Sequence, residues 1–198
     1  MADITAAIVK ELREKSNAGM MDCKKALEET NGDLSKAMEL LRKKGIVSAS
    51  KKSGRATNQG VIDSYIHLGN KVGVMIEVNC ETDFVARNEV FKLFVRDLLL
   101  QIASVAPLYV SREQVANDLI AKEKEIAREQ IKGKPENVVD KIVEGKLNKY
   151  FEQICLLEQP FVKDNTVTIG DLLKNKIAEI GENIVISRFI RYQLGEEA

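Results

Sequence analysis

Apolar and polar residues alternate strictly from Val72 to Asn79: Val72, Val74, Ile76 and Val78 fall on one side, Gly73, Met75, Glu77 and Asn79 on the other. A period of two predicts a strand with one apolar face. From Asn88 the period lengthens to that of a helix. Phe91, Phe94, Val95, Leu98, Leu99, Ile102 and Val105 cover more than half of its circumference, which predicts a central buried helix ending before Pro107. The stretch Asn79-Cys80-Glu81-Thr82-Asp83-Phe84-Val85-Ala86-Arg87-Asn88 joins the two, so Asp83 and Phe84 sit on a short connection with a rigid element at each end. Two readings are open at this point. Either Phe84 plugs the local core while Asp83 caps the next helix, or both are binding groups.

Upstream, three short helical patterns occupy residues 1–46. Thr5 can cap the first, with Ile8, Val9 and Leu12 on one face. Asn17-Ala18-Gly19 breaks it, and a second helix runs from about Met20 to Thr30, burying a subset of Met21, Cys23, Ala26 and Leu27. After Asn31-Gly32, Asp33 caps a third helix whose Leu34, Ala37, Met38 and Leu41 share a face and which ends at Lys43-Lys44-Gly45. So small a module has little core and reads as an appended recognition unit. Met20 and Met21 are either adaptable apolar contacts for a partner or packing beneath the first helix.

Ser, Ala, Lys, Gly, Arg, Thr and Asn dominate residues 47–59, which read as a linker. The basic residues Arg42, Lys43, Lys44, Lys51, Lys52 and Arg55 lack interleaved aromatics, so a solvated helix end explains them better than contact with nucleic acid. A core domain then spans 60–198. Gly60 to Leu68 forms a hairpin with the alternating strand, Ile62 and Ile66 pairing against its Val/Ile face, with Gly69-Asn70-Lys71 as the turn. Ser111-Arg112-Glu113-Gln114 predicts a capping box with Val110 and Val115 as its staple, opening a charge-rich helix that Gly133 stops. Pro135 opens another helix reaching about Leu157. A short helix follows Thr168 and closes at Gly181, and Ile184 to Tyr192 is the last strand. The expected fold class is α+β: the three-helix module, a linker, and a small antiparallel three-stranded sheet packed with helices.

Lys+Arg and Asp+Glu are equal at 30 each, so no net field attracts nucleic acid or an anionic membrane. No apolar run approaches the roughly 18 residues of a membrane span, and no signal segment is visible at the N-terminus, so the expected location is cytoplasmic. Cys23, Cys80 and Cys155 with the single histidine, His67, give no metal-ligand spacing, and no Gly-rich phosphate loop or dinucleotide fingerprint is present. Neither a cofactor nor a nucleotide site is expected in the chain itself. A Cys80, His67 and Asp83 hydrolase set can be written, but nothing in the sequence marks an oxyanion hole.

Four ordered motifs carry a resemblance over nearly the whole chain: Lys10-Glu11-Leu12-Arg13; Ala18 to Leu27; Val78 to Ala86; and Leu156-Leu157-Glu158-Gln159-Pro160-Phe161-Val162. With them the sequence resembles bacterial or organellar translation elongation factor Ts, the family of guanine nucleotide exchange factors for elongation factor Tu. The resemblance implies that the three helices form a ubiquitin-associated-type domain and that the remainder is a core or dimerisation domain. It implies that Thr82-Asp83-Phe84-Val85 is a magnesium-dislocation motif, with Phe84 wedging between helices of the partner's GTPase domain and Asp83 beside it. Arg13, Met20 and Met21 match positions that touch the same domain. On this reading Phe84 is exposed and directed at a partner, and the exchange involves no bond chemistry. Longer family members carry a second core half and a coiled-coil insertion, so this sequence reads as a short form, for which pairing of two cores as a homodimer is the expected compensation. Ser16-Asn17 stands where the family more often has Thr-Gly. A ubiquitin-associated-type adaptor acting through Met20 and Met21 alone is the other binding class.

Overall fold

The computed structural model describes residues 4–16, 18–131 and 136–196. The expectations placed on Asn17, Gly133 and Pro135 lie outside these residues. The chain forms two compact units that do not follow its order. One holds the residues up to Val61, Val78–Phe94 and Asp171–Val185; the other holds Ile62–Glu77, Val95–Gly170 and the residues from Ile186 on.

The first unit begins with α1 (Ala6–Ser16), α2 (Met20–Glu29) and α3 (Leu34–Lys52). Their shared core is Val9, Leu12, Cys23, Ala26, Leu27, Ala37 and Leu41, the apolar faces read from the sequence. Asp33 caps α3 as expected, accepting from the Lys36 amide at 3.0 Å. At its other end α3 departs from expectation. It passes through Gly45 and continues to Lys52, so the linker expected over 47–59 contracts to 53–58 before β1 (Gln59–Ile66). Composition lost to packing here. A glycine costs a helix about 1 kcal/mol relative to alanine, but a Cβ on Gly45 would stand 3.4 Å from that of Ala178 in α8 (Ile169–Ile180), and Ala49 is buried. Lys52 Nζ also donates to the Ile177 carbonyl at 3.4 Å. The basic residues here are ion-paired: Arg42 with Asp171 at 3.2 Å, Lys43 with Glu39 at 2.7 Å, Lys44 with Glu29 at 2.6 Å.

Strands β1, β2 (Val72–Cys80) and β5 (Ile184–Gln193) form a three-stranded sheet with β2 in the centre. The Asn183 amide bonds Glu81 at one end and the Leu194 amide bonds the Lys71 carbonyl at the other, so β5 runs antiparallel to β2. The expected alternation holds in β2, where Val74, Ile76, Val78 and Cys80 are buried. The expected pairing of Ile62 and Ile66 against that face does not hold. Both are exposed, and Ile66 Cδ1 stands over Gly73, 3.1 Å from where a Cβ would be, which puts Ile66 on the opposite face. Gly60 fixes the start of β1. At φ +151° its hypothetical Cβ would lie 2.3 Å from the Val78 carbonyl oxygen, so no other residue fits.

Helix α5 (Glu89–Val105) is the expected central helix: Phe91, Phe94, Val95, Leu98, Leu99 and Ile102 are buried to within 1%, while Val105 in its last turn is exposed. In the second unit the expected capping box at Ser111 is a 3-10 turn over Arg112–Gln114, and α6 (Asn117–Glu129) starts later with no side-chain cap. Val115 explains the delay, because it is drawn into a cluster with Phe151, Ile154 and Cys155 while its backbone is extended. Helix α7 (Glu136–Ile154) packs on α6 through Ala127, Ile131 and Val143 and ends before Leu157. Beyond it lies an antiparallel pair missed in the sequence, β3 (Pro160–Phe161) with β4 (Asp164–Thr168). Within the motif Leu156 to Val162, Gln159 is fully buried and is tied to the equally buried Gln101 of α5. Gln101 Nε2 donates to Gln159 Oε1 at 3.2 Å and to the Pro160 carbonyl at 3.1 Å, and Gln101 Oε1 accepts from the Val162 amide at 2.9 Å.

Candidate functional site

At the end of β2 the chain passes through Glu81 and Thr82 into α4 (Asp83–Arg87), a helix of five residues. Thr82, not Asp83, is its N-cap, and its Oγ1 faces the Val85 amide at 3.4 Å. Asp83 lies in the first turn, where a carboxylate suits the helix dipole, and pairs with Arg87 across one turn at 3.1 Å. Ala86 is buried beneath the helix and Val85 is half-buried. Phe84 points the other way and is 83% exposed, which rules out the core-plug reading. An aromatic ring left in water by a helix whose neighbouring positions are anchored is an unmet apolar surface.

The anchors come from a turn far along the chain. Glu182 Oε2 accepts from the Thr82 amide at 3.0 Å and Oε1 from the Thr82 hydroxyl at 2.7 Å. In the reverse direction Glu81 Oε1 accepts from the Asn183 amide at 2.6 Å and faces Arg55 Nη1 at 3.4 Å. Asn183, only 2% exposed, donates through Nδ2 to the Ser53 and Arg55 carbonyls at 3.3 and 2.9 Å. The exit from α3, the start of α4 and the turn before β5 are therefore tied together. At the other end of α4 the Asn88 amide bonds the Val85 carbonyl at 2.9 Å, and Asn88 Oδ1 accepts from the Val90 amide at 2.7 Å. Sequence reading missed Glu182, Asn183 and Arg55. A Gly181-Glu182-Asn183 turn ahead of an apolar strand was the available signal, but it names no partner.

Arg13 is exposed on α1, and Met20 and Met21, 43% and 63% exposed on α2, do not pack beneath α1. They share the first compact unit with Thr82, Asp83, Phe84 and Val85. Each member of the hydrolase set is engaged with a group outside the set. Cys80 is fully buried and its Sγ donates to the Thr82 carbonyl at 3.2 Å; burial, with Glu182 adding to it, pushes the thiol up from its ordinary value. His67 Nδ1 is bonded to the Tyr65 hydroxyl at 2.9 Å, and Asp83 to Arg87. Among the described residues no cluster of three or more His, Cys, Asp or Glu is placed to hold a metal, and no helix is long and apolar enough to cross a membrane.

Comparison with known proteins matches the sequence to a family. The family model described as elongation factor TS matches residues 2–196. The elongation factor Ts of Carboxydothermus hydrogenoformans is 57% identical over 195 residues, covering 98% of this chain and 90% of that protein. That of Alkaliphilus oremlandii is 58% identical over 196 residues, covering 98% and 90%. That of Thermotoga petrophila is 55% identical over 194 residues, covering 98% of this chain and 98% of that protein. With its family model matched almost end to end, the chain belongs to the elongation factor Ts family of translation elongation factors.

Proposed function

We propose that the chain is a guanine nucleotide exchange factor for elongation factor Tu. It binds the Tu–GDP complex, inserts Phe84 between helices of the GTPase domain with Asp83 beside it, and disturbs the Mg²⁺ and phosphate-binding loop so that GDP leaves and GTP replaces it. The observation that carries this reading is Phe84, 83% exposed on a helix held at both ends. Thr82 and Val85 complete the motif as cap and support. The reaction is one of linkage: a factor that prefers the nucleotide-free partner weakens nucleotide binding by the factor with which nucleotide weakens its own. Burying a phenylalanine contributes about 1.5–3 kcal/mol, enough to bias a site whose ligand also depends on its metal. No chemical step is catalysed, and the Mg²⁺ is the partner's. On this reading residues 1–46, which hold α1, α2 and most of α3, are a ubiquitin-associated-like domain that adds Arg13, Met20 and Met21 to the interface. Residues 60–198 form the core, and the setting is the cytoplasm. Release of labelled GDP from elongation factor Tu, with and without this protein, tests the proposal; an unchanged release rate would overturn it.

A homodimer through the core is supported by the open sheet face, where Ile62, Ile66 and Met75 are exposed. Sedimentation at low concentration tests it, with a monomer as the contrary result.

A further inference from the structure

A helix of five residues does not hold its own direction, so the aim of Phe84 is set by what grips α4 from outside. Ala86 grips it from beneath and Asn88 from behind, but neither fixes the first turn, from which Phe84 leaves. That turn depends on the Thr82 hydroxyl, which has one proton to give and can point it anywhere unless something takes it. Glu182 takes it. With Oε1 at 2.7 Å accepting the hydroxyl proton, the lone pairs of Oγ1 are left facing the Val85 amide, and Oε2 at 3.0 Å holds the Thr82 backbone in the same grip. Glu182 is itself set by its neighbours, because Gly181 turns the chain at φ +90° and Asn183 is locked to Glu81, Ser53 and Arg55.

We infer that Glu182 is a positioning residue for the Phe84 wedge: by accepting both protons of Thr82 it holds the first turn of α4 against the reaction force of insertion. The inference rests on the exchange reading above and assigns a role to a residue 100 positions from the motif. A wedge can displace a partner's helix only if it does not itself yield. Without the brace α4 still offers an exposed phenylalanine, so the partner is still bound, but part of the insertion energy is spent in turning α4 aside. The loss should therefore fall on the maximal release rate and not on the concentration of factor that half-saturates it.

Glu182→Gln keeps the volume but replaces one acceptor with a donor, and so faces one of the two Thr82 protons with another. The measurement is labelled-GDP release from elongation factor Tu over a range of factor concentrations, with each variant's fold checked by circular dichroism. The expected result for Glu182→Gln is a maximal rate lowered about tenfold with a half-saturating concentration changed less than about threefold, the scale set by losing a bond to a charged group. Thr82→Val, which removes the hydroxyl from the other side, should reproduce this, and the double variant should be no worse than either single one. Thr82→Val also carries the test if Glu182→Gln does not fold. A wild-type protein that releases no GDP would sink the exchange reading. An active wild type with Glu182→Gln and Thr82→Val at the wild-type maximal rate, or with singles whose effects add, would overturn the inference about Glu182 alone.

Discussion

The carboxylate of Glu182 holds both protons of Thr82, the amide at 3.0 Å and the hydroxyl at 2.7 Å, while two residues further on Phe84 stands in solvent. Order in the backbone and exposure of the ring meet within a single turn. This combination separates stability from function at the site.

Phe84→Ala removes a side chain that is 83% exposed, so little burial is lost. Its unfolding free energy should stay within about 0.5 kcal/mol of wild type, while acceleration of GDP release should fall at least about tenfold, as expected when an interaction of about 1.4 kcal/mol is lost. A thermal melt and the release assay check the two halves separately. A strongly lowered melting temperature would mean that the ring packs on the protein.

Met20→Ser and Met21→Ser test the proposed role of α2 in partner binding. Both methionines are substantially exposed, so the double variant should fold as before but need more protein to reach half-maximal GDP release, by about threefold to tenfold for two partly buried contacts. Titration calorimetry against elongation factor Tu measures this directly. Wild-type affinity would leave the two residues without a role in binding.

Asn183→Ala should destabilise the first unit, because the Ser53 and Arg55 carbonyls both lose their donor. Losing two hydrogen bonds made by a buried side chain costs about 1–3 kcal/mol, readable as a lowered urea midpoint. A change below about 0.5 kcal/mol would mean that water replaces the amide.

Gly60→Ala places a methyl carbon 2.3 Å from the Val78 carbonyl oxygen and 2.7 Å from the Asn79 Cα, at φ +151°. Strand β1 must move away from β2 or the residue must be strained, at a cost of about 1–3 kcal/mol or more. Denaturation against urea gives the value, and an unperturbed midpoint would contradict the close approach.

Burial lifts the Cys155 thiol from its ordinary value of 9.0 to about 11, and the Cys80 thiol moves in the same direction. A folded-state value above the unfolded one means that the fold favours the protonated thiol. The contribution is complete below pH 9 and is lost as pH rises toward about 11. Stability should therefore fall over that window, with a shallower slope in Cys155→Ala, and iodoacetamide at pH 8 should label the native protein far more slowly than the unfolded one. Rapid native labelling of all three cysteines would refute the burial argument.

Legibility in the sequence followed the reach of the interactions. The apolar faces of α1, α2 and α5, the alternation in β2 and the cap at Asp33 depend on residues a few positions apart, and each is found where periodicity puts it. The end of α3 departs from its local pattern because Gly45 and the Ser/Ala/Lys stretch look like a linker until α8 is packed beside them. The Ser111 signal failed for a related reason, since burial of Val115 with Phe151 outweighs a local cap. Ile62 and Ile66 show the parity problem of strands: their apolarity was read correctly, their face was not.

The sequence by itself determined the family, through four ordered motifs, and singled out a candidate site, where a strand pattern gives way to a helix pattern at Thr82 to Val85. It could not determine which way Phe84 points, because a phenylalanine at such a junction serves a core or a partner equally well. Tertiary structure decided that by burying Ala86 instead, and by bringing Glu182 and Asn183 to grip Thr82 and Glu81. Those bonds span about a hundred residues, and no local pattern records them, because hydrogen-bond partners are chosen by where the folded chain returns and not by spacing along it.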